Sequence, residues 1–207
     1  MTTSRSPQHR LSAEARILLN PAEAFRALTR DAGGSGWVLA RRPLLLAFVF
    51  GCTLSIQASG ALNARTILDG AISFAFVPLF EIAALAIVYQ RAPRSIPFAR
   101  AVDIFFAANA PWLFFMVTFN ALRLFETTRQ ATATPLVVFI ATASALAGTA
   151  LWSVFIDLHY FKIVLPRQDG RERRDLAVER AVAWGAILLY FFGLAIWPEI
   201  VGRMRPV

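Results

Sequence analysis

The side chains with most chemical potential are a few polar residues inside apolar stretches of the chain. Glu81 lies within one such stretch and Asn109 within the next. A charged side chain at bilayer depth is costly, so it tends to have a function or a dedicated partner. On antiparallel helices, both residues would lie ~15 Å from the same end, since each residue adds 1.5 Å. We therefore expect a Glu81–Asn109 hydrogen bond, either as a polar latch between helices or as a proton- or ion-coupled site.

A second group lies close to the ends of its apolar stretches and comprises Asp103, Asp157 and His159. On a helix, residues two apart point in different directions, so Asp157 and His159 alone are poor metal ligands. Asp103 from a neighbouring helix could complete a catalytic or metal site with one of them. The alternative is that these acids pair with arginines such as Arg91 and Arg100.

Motifs of the common enzyme classes do not occur in this sequence. It has no HExxH, GxSxG, Walker A or glycine-rich dinucleotide pattern. Its two histidines, one of them His9 in the N-terminal tail, are too few for paired haem ligation in this arrangement. Cys52 is the single cysteine, which excludes an intrachain disulfide. We expect a protein that is not an enzyme and that holds no cofactor or metal.

The composition of the chain indicates that lipid surrounds much of it. Apolar residues make up 57% and charged residues 16% of the 207 residues, whereas soluble domains carry about 25% charged residues. The net charge is +8, and Lys162 is the only basic residue that is not arginine. Arginines that flank apolar blocks favour anionic lipid headgroups over nucleic acid as partners.

Five apolar blocks have the length of about 20 residues that crosses a bilayer. We predict an all-α polytopic membrane helix bundle. Prolines and polar residues interrupt the second and third blocks, so we expect kinks there. The predicted spans are 43–62, 67–89, 101–122, 135–158 and 181–200.

The basic residues alternate between the two sides of these spans. Sixteen fall in the segments that would share a side with the N-terminus, and five on the opposite side. Basic loops stay in the cytoplasm. The sequence therefore predicts a cytoplasmic N-terminus and an external C-terminus.

A cytoplasmic segment, residues 1–36, precedes the transmembrane domain of residues 37–207. It contains a predicted amphipathic helix at about 11–30, in two pieces, and then a glycine-rich hinge. Asn20, Pro21 and Glu23 have the pattern of a helix start, since asparagine caps and proline suits the first turn. Phe25 and Leu28 then share an apolar face. That face lies either on the inner leaflet or on the cytoplasmic end of the bundle.

Small residues recur at helical spacing in two spans, as Gly51, Ser55 and Ser59 in the first and Ser144 and Gly148 in the fourth. Such stripes allow close approach of helix backbones. We expect these two helices to pack within the molecule, with self-association through one stripe as the alternative. The charged loop 166–180 is expected to be a solvated helix extension with ion pairs, or else a partner or headgroup site.

The segment LLNPAEAFRAL, residues 18–28, followed by a hinge and five spans resembles the bacterial branch of the Yip1 domain family. Asn20, Pro21, Ala24 and Phe25 carry this resemblance. It implies a five-span membrane protein with a cytoplasmic N-terminus. Eukaryotic relatives are associated with vesicle trafficking and prenylated small GTPases, but their Asp-Leu-Tyr-Gly-Pro type motif is missing here, so GTPase binding is not implied.

The leading hypothesis is a non-enzymatic, Yip1-like protein of the bacterial inner membrane that organises the membrane or binds a partner. That partner would be another membrane protein or a second copy of the chain. One alternative is a small transporter or channel subunit that uses Glu81 and Asn109. The other is a membrane enzyme with a site near Asp103, Asp157 and His159.

Overall fold

Helices account for nearly all of the chain that the structure describes. The computed structural model describes residues 12–30, 36–92, 96–129, 135–167 and 170–204. The predicted hinge at residues 31–35 and His9 lie outside these ranges. The covered ranges contain no strand and form these helices: α1 (Ala13–Leu19), α2 (Pro21–Arg30), α3 (Gly36–Ser59), α4 (Ala64–Phe74), α5 (Phe76–Arg91), α6 (Phe98–Ala108), α7 (Ala110–Arg129), α8 (Pro135–Ile163) and α9 (Glu172–Met204).

In the described part of the chain, four helical segments are long and apolar enough to cross a membrane: Gly36–Ser59, Ala64–Arg91, Leu136–Ile163 and Glu172–Gly193. A fifth crossing results if α6 and α7, which meet at a bend of 42°, are counted as one span. The all-helical fold is therefore confirmed, with four to five helical segments that are long and apolar enough to span a membrane.

The predicted interruptions occur shortly before prolines. α4 ends and α5 begins at Ala75, three residues before Pro78, and α6 ends at Asn109, two residues before Pro111. A proline has no N–H for the carbonyl four residues earlier, and its ring crowds that carbonyl. The break at Ala75 and the 42° bend between α6 and α7 both occur where interruptions were expected.

Helices extend further than the predicted spans at the arginine-rich ends. α3 begins at Gly36 and includes Pro43, where the first span was predicted to start. α9 begins at Glu172, nine residues before the predicted start at Ala181. Apolar sequence marks where lipid begins, and a helix can continue past that point because its backbone bonds are internal.

The two short N-terminal helices meet at Asn20. The Asn20 Oδ1 atom accepts the Glu23 N–H at 3.3 Å, and Asn20 Nδ2 donates to Glu23 Oε2 at 3.0 Å. The predicted cap at this position is confirmed. Phe25 and Leu28 are buried in the core, and the Phe25 ring meets Tyr160 of α8 edge-on, with centroids 5.9 Å apart. The apolar face of α2 thus contacts the bundle.

α6 lies at the centre of the arginine-rich end. Every residue from Arg100 to Ala108 is buried, because α1, α3, α5 and α8 all pack around this helix. Tyr160 of α8 donates a hydrogen bond to the Ala101 carbonyl at 2.9 Å. A helix that is covered on all sides can carry polar residues only where neighbours provide their partners.

The small-residue stripes do not pack on each other as expected. Gly51 of α3 lies against the backbone of α4 at Ile67, and Ser55 is buried and accepts the Asn63 N–H at 2.8 Å. The second span is therefore the partner of the first, which follows from the short turn that joins them. Ser144 and Gly148 of α8 are exposed, with nothing within 4 Å of a methyl group added at Gly148.

Substitution of Gly51 by alanine should destabilise the fold, because the added methyl group would overlap the Ile67 carbonyl oxygen. Overpacking of this kind costs ~1–3 kcal/mol. Thermal unfolding in detergent micelles should show a lower Tm for Gly51→Ala. Gly148→Ala is the matched control and should leave Tm unchanged or raise it, and equal losses in both variants would contradict the α3–α4 packing.

Candidate functional site

Two groups of buried charged residues lie near one end of the bundle. This arginine-rich end is where α3, α6 and α9 begin and where α5 and α8 finish. We call the group around Asp103 the basic network and the group around Arg180 the acidic cluster. The basic network has more arginines than acids, whereas the acidic cluster has more acids than arginines. This difference decides what each group can do.

In the basic network, Asp103 is fully buried and forms ion pairs with three arginines. Arg41 donates from Nε and Nη2 to its two oxygens, both at 2.8 Å, and Arg100 donates from one helical turn earlier at 3.0 Å. Arg42 also forms an ion pair with this carboxylate. A buried carboxylate needs such partners, and the two-pronged contact with Arg41 is the strongest form.

The same arginines hold the N-terminal helices. Arg42 Nε lies 2.9 Å from Glu14 Oε1 in α1, and Arg100 Nη2 donates to the Leu28 carbonyl in α2 at 3.0 Å. Burial acts to raise the pKa of the Glu14 carboxyl, but backbone hydrogen bonding and the charge and hydrogen bond of Arg42 outweigh it and hold the pKa below its ordinary value of 4.5. Glu14 is therefore ionised at neutral pH, and the network joins α1, α2, α3 and α6.

Because folding lowers the pKa of Glu14, its contribution to stability is complete above the ordinary pKa of 4.5 and is lost as pH falls through the lower folded value. Glu14→Gln should reduce the free energy of unfolding by about 0.5–1 kcal/mol at pH 7. Tm measurements along a pH series should show this difference vanish in acid. Asp69→Asn removes an exposed carboxylate at the other end and should have no such effect. A difference that persists unchanged well below pH 4.5 would refute the assignment.

The acidic cluster combines Glu81 of α5, Asp157 of α8 and Glu179 of α9 with one arginine, Arg180. All three acids are buried. Arg180 forms an ion pair with Asp157, lies 3.7 Å from Glu179 Oε2 and interacts electrostatically with Glu81. Helix α5, which carries Glu81, packs against α9, which carries Glu179 and Arg180. Four ionisable groups from three helices thus lie close together inside the bundle.

Neutral polar groups complete the cluster on one side. Arg180 donates to the Ser153 hydroxyl, which also receives the Trp112 Nε1–H at 3.1 Å. In contrast, the Oε2 atoms of Glu81 and Glu179 and the Nε atom of Arg180 are buried and have no hydrogen-bond partner among the described residues. Buried polar atoms without partners are rare in folded proteins and point to strain or to a ligand or proton.

The predicted Glu81–Asn109 hydrogen bond is not formed. Both residues are buried, but neither Glu81 Oε2 nor Asn109 Nδ2 has a hydrogen-bond partner among the described residues. Their depth was inferred from distance along the chain, which says nothing about the direction that each side chain takes around its helix. Glu81 interacts with α8 and α9 instead, and the break at Asn109 ends α6.

Asp103, Asp157 and His159 have separate partners. Asp103 belongs to the basic network, and Asp157 to the acidic cluster. His159 Nδ1 lies 2.9 Å from the Phe155 carbonyl of its own helix, and its ring packs on Phe155. The alternative of arginine pairing is thus correct for both acids. Within the described residues, no group of three or more His, Cys, Asp and Glu side chains could hold a metal ion.

Sequence reasoning missed Glu179 and Arg180, which it assigned to a solvated extension of the helix. Asp175 and Glu179 are instead buried, and Asp175 pairs with Arg167 at 3.1 Å. The spacing of four residues from Asp175 through Glu179 to Ala183 places all three on one face of α9. That periodicity runs without a break into the apolar span, and it is the pattern that could have identified a buried face.

No known protein family, curated protein or solved structure matches this chain. The resemblance to the Yip1 family therefore rests on the sequence alone, that is, on Asn20, Pro21, Ala24 and Phe25 and on the layout of a hinge and five apolar blocks after them. In the structure, the last three of these are buried in the docked face of α2.

Proposed function

We propose that this protein is a small proton-coupled transporter or channel subunit, with the acidic cluster as its working site. The observation that carries the proposal is the burial of three carboxylates around Arg180, two of which keep an oxygen without a hydrogen-bond partner. Ionisable groups at this depth in membrane proteins mark proton and ion pathways.

Charge balance favours protons as the species that the cluster takes up. Arg180 supplies one positive charge and is shared by Glu81, Asp157 and Glu179. A low-dielectric interior penalises unbalanced charge. A metal cation would be repelled by the guanidinium that already lies among the carboxylates, whereas a proton binds one carboxylate oxygen directly.

The position of the cluster suits exchange with one side of the membrane. Asp157 and Glu179 lie ~9–10 Å from the arginine-rich ends of their helices, and Glu81 lies ~15 Å from the end of α5. All three acids therefore lie nearer to the arginine-rich end of the bundle than to the opposite end, which favours exchange of protons with that side.

Glu81→Gln should reduce proton flux to near the level of vesicles without protein, because the amide keeps the shape of the side chain but cannot exchange a proton. Flux would be measured with a pH-sensitive dye inside proteoliposomes under an imposed membrane potential. Asp69→Asn, at an exposed position on α4, should retain wild-type flux.

Equal Tm values for Glu81→Gln and the wild type would exclude misfolding as the cause of lost flux. Wild-type vesicles that pass no more protons than empty ones would refute the proposal. So would wild-type flux in Glu81→Gln.

A second candidate is a Yip1-like protein of the bacterial inner membrane that binds a partner on its cytoplasmic face. The observation that favours it is the orientation of α2. Its apolar side is docked, and Glu23, Arg26 and Arg30 are exposed on its outer side. The arginine excess at this end supports a cytoplasmic N-terminus and an external C-terminus.

Arg26→Cys in a Cys52→Ser background tests both parts of this candidate. A membrane-impermeant thiol reagent should label the new cysteine only when added from the cytoplasmic side. A thiol crosslinker attached there should capture another membrane protein or a second copy of the chain. Labelling from the outside would overturn the orientation, and capture equal to that of an Arg65→Cys control would argue against α2 as the contact surface.

A further inference from the structure

One face of α3 near the arginine-rich end carries side chains in an order that complements the groups of a phospholipid. Trp37, Arg41, Leu44 and Phe48 are spaced by three or four residues and therefore share this face. All four are exposed. From Arg41 to Phe48 the face is ~10 Å long, which is about a third of the ~30 Å hydrocarbon thickness.

Arg41 is the charged member of this face and has donor capacity to spare. Its Nε and Nη2 atoms bind Asp103, and its Nη1 atom has no partner among the described residues. Its side chain remains 41% exposed, whereas those of Arg42 and Arg100 are 13% and 7% exposed. The contact with Asp103 fixes the guanidinium at the start of the span, and a guanidinium binds phosphate oxygens well.

The residues on either side of Arg41 on this face also suit a phospholipid. Trp37 precedes it by one turn, and tryptophan is enriched at the level of lipid headgroups. Leu44 and Phe48 follow it on the same face and offer apolar surface to an acyl chain. Because Arg41 is at the boundary between them, a bound phosphate would lie at headgroup depth.

We propose that Trp37, Arg41, Leu44 and Phe48 form a binding site for one anionic phospholipid, with the phosphate on Arg41 and an acyl chain along Leu44 and Phe48. The apolar part of the face favours a lipid over free phosphate as the source of the anion. This site is independent of the acidic cluster, because no residue is shared between them.

The test uses purified full-length protein in a neutral detergent. Phosphatidylglycerol should raise Tm in a concentration-dependent way, and phosphatidylcholine should raise it much less. Arg41→Gln should weaken the apparent affinity for phosphatidylglycerol about fivefold, which corresponds to the contribution of about 1 kcal/mol per arginine near an anionic surface. Arg65 is exposed at the opposite end of the bundle, and Arg65→Gln should keep the wild-type affinity for phosphatidylglycerol.

Trp37→Gln provides a second variant that leaves the Asp103 network intact, and it should also weaken phosphatidylglycerol binding. Trp37→Gln therefore still tests the proposed lipid site if Arg41→Gln fails to fold. Inorganic phosphate tests the other source of the anion. An equal effect of phosphate, an equal effect of phosphatidylcholine, or an equal loss in Arg65→Gln would each overturn the proposed lipid site.

Discussion

The buried carboxylate of Asp103 is the interaction on which the arginine-rich end depends. A fully buried charge must be matched, and Arg41, Arg42 and Arg100 match it from α3 and α6. Two of these arginines also bind Glu14 and the Leu28 carbonyl, so α1 and α2 are joined to the same point. Removal of the carboxylate would leave several buried or half-buried cations unmatched, which is why the network acts as a unit. The N-terminal helices are accordingly part of the bundle.

The acidic cluster has the opposite balance, although it lies near the same end of the molecule. In the basic network, cations surround one carboxylate whose oxygens are both bound. In the acidic cluster, three carboxylates share Arg180, and Glu81 and Glu179 each retain an oxygen without a hydrogen-bond partner among the described residues. The first arrangement is complete as a structural joint. The second has three carboxylates for one arginine, and a group that balances it would do so inside the bundle. This contrast is the physical reason for assigning function to the acidic cluster.

The sequence was sufficient for the features that depend on local chemistry. Apolar blocks gave the membrane-spanning helices, Pro78 and Pro111 gave the interruptions, and Asn20 with Glu23 gave the cap between α1 and α2. Each of these is decided within one or two turns of chain. Helix neighbours were not predictable in the same way. The spacing of Gly51 and Gly148 indicates small faces but not which face each one meets, and the depth of Glu81 does not specify its rotation about α5. Partners of that kind are decided by the packing of whole helices.

Arg180 shows why this limitation affects the site more than the fold. Its position in a charged segment is typical of a solvated helix end, and its burial depends on contacts that α9 makes with both α5 and α8. Those contacts bring Ser153 and Asp157 to the guanidinium from one side and Glu81 from the other. Under the proposed function, uptake of a proton by Glu81 would remove its attraction to Arg180 and leave the ion pair with Asp157 as the stronger one. The α5–α9 contact would weaken while the α8–α9 contact remained. The charge on Glu81 would therefore act on the packing of one particular pair of helices, and that is the physical means by which a proton could be coupled to movement in this bundle.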